Sequence, residues 1–316
     1  MLPLLHHSLK EAALPSATKS LLRAARAYEE MRAARYHEAL IEVLEALLAA
    51  GVHPVVLPGA GLVERAYGDW ALRHSHDLDL LATQKEWKAV RCALAKCCVE
   101  LHSAPGRQSD GLDGRHWTGL PVCVHSRLLR NRYYGCTAEE AVGTTEETTV
   151  AGVSARVLRP GAAASYVLGQ AGAASPRSLR WAADIWHLSR CDDFDWEEAR
   201  THISRLRVSL PAAVLLGFMA SALGLEHLDA ALPGIHADAV GLGRAGEDAA
   251  LADAVGSGAL GVLGALQRPA RTRDRTLLAA RLLAPSWEYL RAVEPPPVSL
   301  AYARRTARYA LGALRR

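Results

Sequence analysis

A change of hydrophobic period at Gly51 constrains this chain more than any other feature. From Tyr36 to Leu48 the apolar residues recur at three- and four-residue spacing, which predicts an amphipathic helix with Gly51 as its stop. Directly after it, His53-Pro-Val-Val-Leu57 is short and β-branched and predicts a strand. Pro58-Gly59-Ala60-Gly61 then predicts a turn, and Leu62–Tyr67 a short helix. His76–Ala82 alternates polar and apolar residues, the period of a half-buried strand.

The same mixture continues to about residue 160. Gln84–Cys97 is helical by pattern, and Cys98–His102, Arg115–Thr118, Pro121–His125 and Val153–Leu158 read as strands, the last ended by Pro160. Gly119-Leu120 joins the middle pair. From Gly161 onward the pattern is helical, with helices expected over Ala162–Ala171, Ser178–Ser189, Trp196–Arg207, Ala212–Leu223, Asp248–Gln267, Thr272–Leu283 and Ser299–Leu314. Asp195-Trp-Glu-Glu198 suits a helix start, with Asp195 as the cap. Glu294-Pro-Pro-Pro297 is the one stiff linker. The expected organisation is α+β: N-terminal helices over 1–50, a small mixed-sheet domain over 51–160 and an all-helical domain over 161–316. A length of 316 residues agrees with about two domains at roughly 150 residues each.

Composition narrows the partners. Hydrophobic residues are 50% and charged residues 22%, which excludes dominant disorder. The net charge is only +4, so no electrostatic case exists for nucleic acid or a membrane surface. The C-terminal arginines Arg304, Arg305, Arg308, Arg315 and Arg316, interleaved with Tyr302 and Tyr309, read as one solvated helix face. The longest apolar run, Leu210–Leu225, is shorter than the roughly 20 residues of a spanning helix. Six cysteines without a C-x-x-C pair, and no signal-like N-terminus, read as reduced and cytoplasmic. His6-His7 is expected in a frayed terminus.

The chemistry-bearing candidate is Asp77-x-Asp79. Residues i and i+2 of a strand share one face with Cα atoms about 6.5–7 Å apart, so both carboxylates can reach one divalent cation. Such hard oxygen donors suit Mg²⁺ carrying substrate phosphates. The Gly59-Ala60-Gly61 turn, leading into a helix, can offer backbone N–H groups to a phosphate. The plain structural alternative makes Asp77 an edge-strand surface residue and Asp79 a turn or cap residue.

The order of these pieces resembles the polymerase-β-like nucleotidyltransferase superfamily. Within it, the chain is similar to the uncharacterised bacterial nucleotidyltransferase family often seen beside natural-product gene clusters. The family pattern runs strand, Leu-Lys-Gly-x-x-Leu, Tyr, Arg, then Asp-hydrophobic-Asp-Leu-Leu; here Val55–Leu81 carries Gly59, Arg73, Asp77 and Asp79. A second block, hydrophobic-acid-hydrophobic-His, appears as Val122-Cys-Val-His125, and a third as Arg180-Trp-Ala-Ala-Asp184 followed by Asp195-Trp196. The resemblance implies a small mixed sheet with helices and metal-dependent transfer of a nucleotidyl group from an NTP such as ATP. It implies Asp77 and Asp79 as Mg²⁺ ligands, Gly59, Ala60, Gly61, Arg73 and Arg180 on the nucleotide side, and His76 and His125 at the catalytic site. The acceptor implied is a small metabolite or peptide, with no nucleic acid and no membrane; the oligomeric state is left open.

Three departures fall on that site. Cys123 stands where the third acid belongs, and a thiol is a poor Mg²⁺ ligand. Pro58 replaces the lysine, removing a cation and a backbone N–H together. His76 replaces a glycine. Two consequences are weighed beside straightforward transfer, with Glu100 or Asp110 as nearby substitute acids. One is a repurposed fold doing nucleotide-independent acid–base chemistry with His76, Asp77, Asp79 and His125, or a Cys123–His125 nucleophile. The other is a non-catalytic binding protein. Arg180 and Asp184, at i and i+4, are expected to pair, and Trp181, Trp186 and Trp196 to pack between helices.

Overall fold

The computed structural model describes residues 2–10, 12–97, 99–102, 111–129, 136–174, 179–225, 228, 231–241, 300 and 303. The helices expected over 248–267 and 272–283, the linker 294–297, the C-terminal arginines and nearly all of 299–314 lie outside them. No helix among the described residues is long and apolar enough to cross a membrane.

Two N-terminal helices precede the sheet, α1 (Leu2–Ser8) and α2 (Ser16–Ala49). His6 and His7 fall in the last turn of α1, not in a frayed end. The C-terminal half of α2 buries Ala39, Leu40, Val43, Leu44 and Leu47, one helical stripe. Gly51 ends it as the spacing predicts. Its φ of +73° is left-handed, and Val52 N–H then returns to the Leu47 carbonyl.

Seven strands form one mixed sheet in the order β3-β4-β5-β2-β1-β7-β6. They are β1 (Val55–Val56), β2 (Leu78–Leu81), β3 (Glu100–His102), β4 (Gly111–Arg115), β5 (Pro121–His125), β6 (Thr145–Val150) and β7 (Val153–Leu158). β2 runs parallel to β5, and β1 parallel to β7; the other neighbours are antiparallel. Helix α3 (Trp87–Lys96) follows a single 3₁₀ turn, where Thr83 and Glu86 satisfy each other's backbone groups as a capping box. Leu78, Leu80, Val122 and Val124 join Leu40, Val43, Leu44 and Leu47 of α2 and Val90 and Leu94 of α3 in one core.

Three expectations change. The strand expected at Arg115–Thr118 lies earlier, at Gly111–Arg115, and His116–Leu120 is its turn into β5. His116 and Trp117 favour strands by type, but the buried His116 ring and the Trp117 indole both reach Glu42 of α2 and fold the chain back. β6 was not expected, because a polar edge strand lacks the alternating signal. Pro160 opens a helix, as proline at a first helical position does, instead of only ending a strand.

The remaining helices are α4 (Ala138–Ala141), α5 (Pro160–Ala174), α6 (Arg180–Leu188), α7 (Trp196–Arg205), α8 (Ser209–Leu223) and α9 (Leu232–Gly241). Neither α4 nor α9 was expected from the pattern. The described residues group into two compact units. The first holds the sheet, α1 to α4, the start of α5 and residues 182–195. The second holds most of α5, the first two residues of α6, and α7 to α9. In the second unit Trp181 packs near Phe218, and Arg200 grips Asp238 with two hydrogen bonds.

Candidate functional site

Strand alternation sends Leu78 and Leu80 to the covered face of β2, leaving Asp79 on the opposite face. Asp77 immediately precedes the strand. Both carboxylates are part-exposed, at 34% for Asp77 and 24% for Asp79. The parallel register sets Asp79 beside Cys123 of β5, so the position of the implied third acid is adjacent in space and holds a thiol. Asp113 of β4 pairs with Cys123 in turn. Asp79, Cys123 and Asp113 therefore form one row across three neighbouring strands. The sequence reading missed Asp113 because it placed this strand too late. Glu100 pairs instead with Arg115 at the sheet edge, and Asp110 lies outside the described residues.

Each acid has an imidazole beside it. His125 Nε2 is 2.9 Å from Asp79 Oδ1. A carboxylate can only accept, so Nε2 carries the proton in this bond. His125 itself is buried. His76 Nε2 is 3.5 Å from Asp77 Oδ2 on a far more open side chain.

Gly59 leads into a 3₁₀ turn over Ala60–Leu62 and then a π-helical turn over Val63–Tyr67. Gly59 has φ +154° and ψ −99°, a conformation that side chains rarely adopt. Gly61 is required by packing: a Cβ there would lie 2.6 Å from the Val56 carbonyl oxygen. Its N–H already donates to the Leu57 carbonyl at 3.2 Å, which removes it from the donors expected to face a phosphate.

Arg73, expected beside the nucleotide, is engaged with Asp184. Its guanidinium is buried and donates from Nε and Nη2 to the two carboxylate oxygens of Asp184, each at 2.9 Å. Nη1 donates to Ser75 Oγ at 2.9 Å, and Tyr67 Oη donates to Asp184 Oδ1 at 2.6 Å. Burial alone would lower the Arg73 pKa, but the charge and hydrogen bonds of Asp184 outweigh it and hold it above the ordinary value. Asp184 thus serves Arg73 and Tyr67, where the spacing suggested Arg180. This clamp backs the turn, since a Cβ on Gly59 would lie 3.9 Å from Arg73 Nη1. Arg180 opens α6 and belongs to the second unit.

A separate open groove of about 420 Å³ lies between Ala60, Gly61, Glu64 and Arg65 on one side and Glu146–Val150 on the other. Its arginine pairs with Glu146 and Asp193, so the groove offers a triphosphate no free positive wall. Neither Asp77 nor Asp79 lines it.

The donor set can be tested for a metal by its chemistry. Two adjacent carboxylates suit one hard cation whose remaining ligands are waters and substrate phosphates. Among the described residues, no three His, Cys, Asp or Glu side chains stand together to hold a metal. With a thiol at the third position, the donor set fits one hard cation that takes its other ligands from outside the chain.

No curated protein matches this chain. A family model described as "Uncharacterised nucleotidyltransferase" matches residues 1–224, a span that takes in the whole sheet, the acid pair and the Arg73–Asp184 clamp. The chain belongs to that nucleotidyltransferase family.

Proposed function

We propose that this protein is a polymerase-β-like nucleotidyltransferase that moves a nucleotidyl group from an NTP to a small-metabolite or peptide acceptor. The observation that carries this reading is Asp79 on the open face of β2, with Asp77 at the residue that enters the strand, beside the strand bearing Cys123 and His125. Asp77 and Asp79 would hold one Mg²⁺ that arrives with the nucleotide. The bound ion would neutralise charge on the phosphates and draw electron density from the phosphorus that is attacked. His125 fixes the Asp79 carboxylate through one oxygen and leaves the other for coordination, as outer partners of metal-binding carboxylates do. Gly59 and Ala60 form the side of the turn that would approach the phosphates. Natural-product biosynthesis is the setting this acceptor class suggests.

Titration with ATP, GTP, CTP and UTP, with and without Mg²⁺, tests the reading. Metal-dependent binding of at least one nucleotide is expected, with loss in Asp77→Asn and Asp79→Asn. Absence of metal-dependent binding for all four refutes it. The Asp79–His125 bond favours a second reading, nucleotide-independent acid–base chemistry with His76 assisting. That reading predicts turnover of the acceptor in chelator without any NTP.

A further inference from the structure

Asp79 and Asp77 are held differently. Asp79 sits inside the ladder, paired with Cys123, and its carbonyl accepts from Leu57 N–H at 3.0 Å. Asp77 lies one residue before β2, beyond that ladder. What fixes it comes from α2. Tyr36 Oη donates to the Asp77 carbonyl at 3.0 Å. One turn earlier, Arg32 donates to the Ser75 carbonyl. Glu29 holds His74 Nδ1 at 3.0 Å from both carboxylate oxygens, and Arg26 donates to Asp69 at 2.6 Å. Residues 26, 29, 32 and 36 follow steps of three and four, so they form one stripe along the helix. All four grip residues 69–77, the segment that delivers the acid pair.

Of this stripe only Tyr36 belongs to the hydrophobic core. The apolar contacts of α2 concentrate at residues 39–47, whereas over 16–36 only Leu22, Glu29, Ala33 and Tyr36 are buried. Tyr36 is 4% exposed, and burial pushes its phenol far above the ordinary range, so it stays a neutral donor. Arg32 donates to Glu29 as well as to Ser75, which ties the two grips together.

We infer that the stretch of α2 from Arg26 to Tyr36 is a splint for the acid pair, with Tyr36 and Arg32 as positioning residues that set the Asp77 carboxylate against Asp79. The inference rests on the reading of Asp77 and Asp79 as a metal-holding pair. Removing an outer partner of a metal ligand weakens metal binding by about 10–100-fold. Tyr36→Phe keeps the buried ring and removes only the donor. The probe is Mn²⁺, alone and with each of ATP, GTP, CTP and UTP, titrated by electron paramagnetic resonance, with the melting temperature and the hydrogen exchange of residues 74–79 measured beside it. The expected result for Tyr36→Phe is Mn²⁺ binding about tenfold weaker, faster exchange in that segment and a melting temperature within a few degrees of wild type. Arg32→Gln, which keeps the helix and leaves Tyr36 in place, is expected to move the same readouts in the same direction. Wild-type Mn²⁺ affinity in both variants, with binding lost in Asp77→Asn, overturns the splint and leaves the proposed function standing. Wild-type protein that binds Mn²⁺ neither alone nor with any of the four nucleotides, or Asp77→Asn and Asp79→Asn that bind it normally, overturns both.

Discussion

Asp184→Asn is the sharpest perturbation of the scaffold behind the acid pair. The Arg73 side chain is 9% exposed and that of Asp184 is 4% exposed, so this pair has almost no water to fall back on. Asparagine keeps the shape but removes the charge, and it turns an amide N–H₂ toward donors that need an acceptor. Arg73 would then be a buried cation without a counter-ion, and Tyr67 would compete for the one remaining oxygen. Breaking a buried pair from one side costs about 3–5 kcal/mol. At about 2–4 °C per kcal/mol for a domain of this size, Tm should fall by roughly 6–20 °C. Removing both charges with Arg73→Met and Asp184→Leu eliminates the unpaired ion. It leaves the Tyr67 and Ser75 hydroxyls and the His74 carbonyl to re-satisfy, at about 1–3 kcal/mol each where no other partner is found. The double variant should therefore be more stable than Asp184→Asn. Urea and thermal melts of the four corners of this cycle measure the difference. A loss below about 1 kcal/mol in Asp184→Asn, the range of an exposed pair, would refute the reasoning, as would a double variant weaker than the single.

Two further outcomes follow from the same geometry. Cys123→Asp sets a third carboxylate beside Asp79 in the existing register and should tighten Mn²⁺ binding several-fold, because affinity rises with the charge count of the ligands; unchanged binding argues against metal at this face. Burial would raise the Glu29 pKa, but hydrogen bonds from Arg32 and His74 prevail and hold it below the ordinary glutamate value. Its contribution is then complete above the unfolded pKa of about 4.3 and lost as pH falls through the lower folded value. Glu29→Gln should cost about 1–3 kcal/mol at pH 7, and the gap to wild type should shrink steadily as pH falls below the unfolded value; a gap that stays constant through the acid range refutes it.

Where the sequence was legible, the reason was periodicity. The stop at Gly51, the alternation through Leu78–Leu81 and the strand at Pro121–His125 each follow from a repeat that one buried face imposes. The failures share another cause. Gly111–Arg115 carries two glycines, which weakens any strand pattern, yet Gly114 is there because a Cβ would lie 2.9 Å from the Glu100 carbonyl oxygen. A constraint set by the neighbouring strand has no local signature, and so the strand was misplaced and Asp113 with it. Thr145–Val150 was missed for the opposite reason: an edge strand with most of its side chains facing water has no apolar face to announce it.

The Arg73–Asp184 pair lies 111 positions apart in sequence, and no spacing rule reaches that far. The helical i,i+4 rule offers Asp184 only Arg180 and is blind to Arg73. The two residues belong to separate blocks of the family pattern, one before the acid pair and one on a helix beyond the sheet. The structure makes them a single device behind the Gly59 turn. That has a consequence for Pro58. The lysine it replaces would have brought a cation to the open side of the turn, and the cation nearest behind the turn is fully engaged with Asp184. In the proposed nucleotidyl transfer, charge for the triphosphate would then come with the substrate's own metal. This is why the integrity of Asp77 and Asp79, and of the helix that holds them, decides what this fold can still do.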